Sequence, residues 1–205
     1  MAFRGWSDEA LEFYEGLEAD NTKTYWTKHK AVYDELVLAP MQALIAELAP
    51  TWGEGKVFRP YRDVRFSKDK TPYKTNLGAR VGGGYVQLDA NGLMVGSGRF
   101  HLDSAEVARF RQGIDDETSG QALASIVTAA RKKGYDVNSH DELKSVPRGF
   151  DKDHPRAELL RYKGLIVWRR WEPAAWLGTP AAKKRITDTF EAAKPLNAWL
   201  HDHVG

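Results

Sequence analysis

Apolar positions recur along the chain at two spacings, and the change from one to the other divides it into a helical start, a strand-rich middle and a helical end. Ser7 followed by Asp8 and Glu9 is a helix start with acids in the first turn. Ala10, Leu11, Tyr14 and Leu17, with Phe13, then make an apolar face at helical spacing. Asn21 restarts a helix in which Tyr25, Trp26, Val32, Tyr33 and Leu36 favour one side, while Lys23, Lys28 and Lys30 fall largely outside it. Pro40 lacks the N–H that an interior turn requires and is expected to kink or divide this helix. Met41, Leu44, Ile45 and Leu48 carry the stripe on to Pro50. The aromatic residues of these helices read as core.

Between Trp52 and Phe100 glycines multiply and the period falls toward two. Residues 57–61 read as a short edge strand, with Pro60 at a sheet edge or a break. Residues 77–81 read as a second strand, and 85–89 and 93–95 flank Asn91-Gly92, a strong hairpin signal. Gly82-Gly83-Gly84 lacks the spacing to Gly-Lys-Ser/Thr and precedes a strand, so it reads as close packing or a turn, not a phosphate loop. Helices resume at Asp103, with Glu106 three residues on as in a capping box, and run to about Gln112, then from about Ser119 to Lys133, where Gly134 stops them. Residues 135–158 read as a long ordered loop. Residues 165–168 are bulky on both alternating faces, which predicts a strand covered on both sides with Trp168 buried. Thr179-Pro180 opens a last helix lined by Ile186, Phe190, Leu196, Trp199 and Leu200, which Pro195 should bend or break. The pattern predicts an α+β fold: a central, mostly antiparallel sheet with helices packed from both chain ends, in a single domain over residues 1–205.

Composition narrows the chemistry. A chain of 205 residues can bury a sizeable core without staples. It has no cysteine, which excludes disulfides, cysteine nucleophiles, zinc–thiolate sites and iron–sulfur clusters. No signal peptide is read at the acidic N-terminus, and no stretch approaches the ~18 apolar residues of a membrane span. The expectation is a soluble cytoplasmic protein without a membrane partner. A net charge of +2 is too small for a generic nucleic-acid binder, so any such role must come from a local patch.

There is one such patch. Residues 58–75 hold six cations, Arg59, Arg62, Arg65, Lys68, Lys70 and Lys74, against two anions, Asp63 and Asp69. Phe58, Tyr61, Phe66 and Tyr73 are interleaved with them. A merely solvated charge run has no use for four rings, whose burial would pin the segment to a core. Arginine forks grip a carboxylate or phosphate at two points and lysine adds a mobile charge, so the stretch is a candidate anion site. A second mixed block holds Arg148, Asp151, Asp153, His154, Arg161 and Lys163. His154 beside Asp153 is the residue pair of a general base, or else a cap on a short helix opened by Pro155. Asp151, Asp153 and His154 lie too close in sequence to complete a metal shell without ligands from elsewhere, so no metal site is assigned, and the cofactor, if any, is unknown from the sequence.

These two blocks also carry a resemblance. Arg59-x-Tyr-Arg-Asp-x-Arg-Phe-Ser-Lys-Asp-Lys-x-Pro-Tyr-Lys-Thr75 resembles the signature of the family catalogued as domain of unknown function 2461. Pro147-Arg-Gly-Phe-x-x-Asp-His-Pro155, followed by Leu159-Leu-Arg-x-Lys163, resembles its other signature, and the opening from Asn21 to Trp26, with Tyr33 and Pro40 downstream, also fits. Pro60 departs from the pattern, which has an apolar residue there. The resemblance implies no established activity.

Three readings follow. In the first, an anionic small molecule is clamped by the basic stretch, with Arg148 and Arg161 assisting and His154 and Asp153 on the reacting side. In the second, the patch binds nucleic acid, with Tyr61, Phe66 or Tyr73 stacking on bases. In the third, the arginines are internal scaffolding, paired with Asp63, Asp151 and Asp153. If both blocks serve one site, Arg62 or Arg65 should share a wall with His154 or Arg148. Whether the protein is an enzyme, and its oligomeric state, are left open by the sequence.

Overall fold

A computed structural model describes residues 2–65 and 68–205. Among the described residues seven α-helices and six strands follow one another: α1 (Asp8–Ala19), α2 (Lys23–Val32), α3 (Ala39–Trp52), β1 (Gly55–Val57), β2 (Asn76–Val81), β3 (Gly84–Asp89), β4 (Gly92–Arg99), α4 (Ser104–Asp115), α5 (Glu117–Lys132), β5 (Asp136–Asn138), α6 (Ala157–Leu160), β6 (Leu165–Trp171) and α7 (Ala181–Val204). The sheet is six-stranded, in the order β1-β2-β3-β4-β6-β5, with antiparallel ladders β1–β2, β2–β3 and β5–β6. The α+β class and the antiparallel sheet are as the periodicity predicts.

The chain forms two compact units, Met1–Val95 with Arg170–Thr187, and Gly96–Arg169 with Asp188–Gly205. In the first, Leu77 pairs with Leu88 and Ala79 with Val86, so one side of the β2–β3 ladder is apolar and buried. The core of this unit also takes in Trp6, just ahead of α1, and Phe13, Tyr14, Leu17, Trp26, Met41 and Leu44 from the helices. In the second, Phe110 and Ile114 of α4, Leu123 and Val127 of α5, Val167 of β6 and Leu196 and Leu200 of α7 form another buried cluster.

Local signals explain most boundaries. Asp103 and Glu106 make the full capping box at the start of α4. Gly92 sits at φ +102 in the β3–β4 turn, where a Cβ would lie 2.3 Å from the Trp171 carbonyl oxygen, so only glycine fits. Pro40 acts differently from a simple break: a π-helical segment, Tyr33–Leu38, joins α2 to α3 without interruption, the Ala39 N–H reaching back to Asp34 O, and Pro40 falls in the first turn of α3.

Several expectations are corrected. Helix α3 runs past Pro50 to Trp52, and Pro195 does not break α7, which continues to Val204. Asp116 caps α5, which begins at Glu117, two residues before the expected start at about Ser119. Residues 135–158 contain the short strand β5, whose three residues are too few to show a period. Trp168 is half-buried, not buried, because β6 alternates buried and half-exposed positions instead of being covered on both faces; its indole N–H donates to Asn138. The strand expected at 57–61 ends at Val57, and Pro60 lies in the break that follows it.

Candidate functional site

The basic stretch is built outward from the end of β1. The Phe58 N–H donates to Gly78 O at 2.9 Å, and regular pairing then stops. A proline has no N–H to continue a ladder. Instead Tyr61 and Tyr73 form an isolated antiparallel bridge, with Arg62 N donating to Pro72 O at 2.9 Å and Lys74 N to Pro60 O at 2.7 Å. The stretch is therefore a loop closed at its neck. The start of α2 holds that neck. The Asn21 amide donates to Tyr73 O at 3.0 Å and accepts from Tyr73 N at 3.1 Å. The Tyr73 ring stacks on Trp26 with centroids 4.3 Å apart and planes 7° apart. Tyr61 leans on both rings, 5.6 Å from Tyr73 and 6.1 Å from Trp26. Of the described rings Tyr73 thus pins the charged segment to a core, while Phe58 is half-buried and Tyr61 is exposed. Phe66 lies outside the described residues, as does Ser67.

Inside the loop both anions are engaged. Asp69 accepts from the backbone N–H and hydroxyl of Thr71 and from Arg62, and these donors hold its pKa down to about 2. Asp63 accepts from Arg65 through Nε at 2.9 Å and Nη2 at 2.7 Å, which lowers the carboxylate and raises the guanidinium. Lys70 Nζ donates to Val64 O at 2.9 Å, and Lys74 Nζ lies 5.9 Å from the centre of the Phe58 ring. Among the described residues Arg59, Lys68, Lys70 and Lys74 have no carboxylate partner. The scaffold reading expects arginines buried against aspartates, whereas both pairs here are on the surface: the Arg62 side chain is 31% exposed and that of Asp69 52%.

Beside this loop runs a polar line that the sequence reading missed. Tyr85 OH donates to Gln87 Oε1 at 2.9 Å, and Gln87 Nε2 donates to Asp89 Oδ2 at 2.8 Å. Arg170 grips the buried Asp89 at both oxygens, at 2.8 and 3.0 Å, and Asn91 N–H donates to it as well. Polar residues at every second position of β3 were the available signal. With four donors Asp89 is saturated and serves to tie the turn after β3 to the end of β6. Phe58 touches the start of this line, 6.3 Å from the Tyr85 ring. The hydroxyls of Tyr14 and Tyr33 are buried without a hydrogen-bond partner among the described residues, and burial pushes the Tyr33 phenol up to about 12.

The second block lies in the other unit, with partners of its own. The carboxylate that faces His154 is Asp115, with Nε2 to Oδ1 at 3.4 Å, not the neighbouring Asp153. Nδ1 accepts from Arg156 N at 3.0 Å, which places the imidazole proton on Nε2. Both ring nitrogens therefore face protein groups. Asp153 N–H donates to Asp151 in a local turn. Arg156 is a buried charged residue of the block: Nε donates to Ile114 O at 2.7 Å and Nη2 to Asp115 O and Glu117 at 3.3 Å, closing the C-terminus of α4. Arg161 pairs with Glu142 and Lys163 with Asp141, while Arg148 is exposed. A cavity of about 490 Å³ lies nearby, lined by Arg131, Tyr135, Asp136, Asn138, Glu158 and Tyr162 among others. Glu158 accepts from Arg131 at 2.6 Å and from Tyr162 OH at 2.7 Å. Arg131 lowers the Glu158 carboxyl, and burial, followed by the bond to Glu158, pushes Tyr162 up to about 12. Among the described residues no three His, Asp or Glu side chains cluster as a metal ion would need, and no helix is long and apolar enough to cross a membrane.

The sequence of the family described as conserved hypothetical protein DUF2461 matches residues 9–199, which include both signature blocks and Asn21. The chain belongs to the DUF2461 family. No curated protein and no solved structure matches it. For this DUF2461 member the geometry accounts for three resembling features in physical terms: Asn21 and Trp26 hold the loop neck, Tyr73 is the ring they hold, and His154 abuts α4.

Proposed function

We propose that this DUF2461 protein is a soluble, cytoplasmic protein that binds an anionic small molecule, bearing phosphate or carboxylate, through the loop closed by Tyr61 and Tyr73. One observation carries the reading. Both carboxylates of the loop are already occupied by Arg62 and Arg65, yet Arg59, Lys68, Lys70 and Lys74 remain without a carboxylate partner among the described residues, on a backbone locked by Asn21. Mutual repulsion among fixed cations is relieved when an anion binds. The nucleic-acid reading is less favoured, because it calls for successive exposed rings and Tyr73 is only 6% exposed.

The test is a melting-temperature panel with phosphate, pyrophosphate and citrate. At ~100 times the dissociation constant the folded state gains about 2.7 kcal/mol. In a domain of this size that is a rise of roughly 5–10 °C. The rise should shrink at high salt and in the double variant Arg59→Gln/Lys74→Gln. No rise with any of the three anions refutes the reading.

A further inference from the structure

The loop presents its rings unequally. Tyr73 is buried with one face on Trp26, and Phe58 lies between Tyr85 and Lys74. Tyr61 alone among the described rings of the stretch is widely open, at 48% exposure, although its inner side rests on Tyr73 and Trp26. A tyrosine held this way keeps a fixed orientation and loses little freedom when something stacks on it. Its neighbours are the cations of the loop. Exposure alternates along this stretch, with Arg59, Tyr61, Asp63 and Arg65 exposed and Pro60, Arg62 and Val64 half-buried, which places Arg59, Tyr61 and the Asp63–Arg65 pair on the outer side together. The bonds from Arg65 lower the Asp63 carboxyl first, and the charge of Arg59 lowers it further.

We propose that the anion bound by the loop is carried on a planar ring, the chemistry of a mononucleotide, and that Tyr61 is the surface on which the ring stacks. This rests on the anion-binding reading above and adds the ligand's second half. A single open ring suits one base, whereas a strand of nucleic acid needs several platforms in succession.

Calorimetric titrations with ADP and with inorganic pyrophosphate separate the two halves. Pyrophosphate supplies the charge without the ring. ADP is expected to bind about tenfold more tightly or better, the usual worth of one base on one aromatic side chain. Tyr61→Ala should bring ADP down to the level of pyrophosphate while leaving pyrophosphate within about twofold, and Tyr61→Phe should keep the preference. Tyr61 rests on Tyr73 and Trp26, so Tyr61→Ala is expected to lower the melting temperature modestly while Tyr61→Phe keeps it, and affinities are compared at a temperature where circular dichroism shows each variant folded, so loss of binding can be told from loss of fold. Equal affinities in the wild type, or an equal weakening of both ligands by Tyr61→Ala, overturns the stacking proposal and leaves anion binding in place. Failure of both ligands to bind overturns both readings.

Discussion

Asn21→Ala removes the side chain that holds the loop neck without touching any charge in the loop. Asn21 makes two hydrogen bonds to the backbone of Tyr73, a buried residue 52 positions away, one as donor at 3.0 Å and one as acceptor at 3.1 Å. Each such bond contributes about 1 kcal/mol net, and leaving the Tyr73 N–H or carbonyl unpaired adds about 1 kcal/mol more, held to the low end because the site is half-buried. The expected loss is about 2–3 kcal/mol, or roughly 5–10 °C in melting temperature. Asn21→Asp keeps the acceptor for the Tyr73 N–H but turns the donor to the carbonyl into an acceptor, so it should not recover the full stability. The same alanine variant should weaken anion binding, since the cations remain but their backbone is no longer fixed. Urea denaturation monitored by circular dichroism gives the first number and the melting panel gives the second. A loss below about 0.5 kcal/mol, the level of an ordinary surface substitution, would refute the claim that Asn21 anchors the loop.

Two further outcomes are expected. Arg156→Met removes a buried guanidinium from the end of α4 and orphans the Ile114 carbonyl, so urea denaturation should show a loss of about 3 kcal/mol; a loss under about 1 kcal/mol would contradict the capping role. Asp69 has a folded pKa depressed to about 2, so what it contributes is complete above its unfolded value near 4 and is lost as the pH falls through about 2. Asp69→Asn should therefore flatten the acid limb of the stability profile in that window, and a profile unchanged by the substitution would argue against the Thr71 and Arg62 bonds.

What the sequence determined by itself is what depends on neighbours along the chain. The apolar stripes of α1 to α3, the capping box of Asp103 and Glu106, the turn at Asn91-Gly92 and the break at Pro60 all follow from spacing and backbone preference within a few residues. The surplus of cations in residues 58–75 and the interleaved rings were equally plain. The tertiary structure decided the partners. Asp153 stands next to His154, but Asp115 faces it, because the chain turns locally at Asp151 and brings the histidine against the end of α4. Arg170 reaches Asp89 across 81 positions, and Asn21 reaches Tyr73 across 52, through pairings that no local period encodes. Tyr61 and Tyr73 look alike in the sequence, yet one is buried on Trp26 and the other is open. Side-chain chemistry can be read from the chain, but which group meets which is set by how the elements pack, and that distance information is absent from spacing alone.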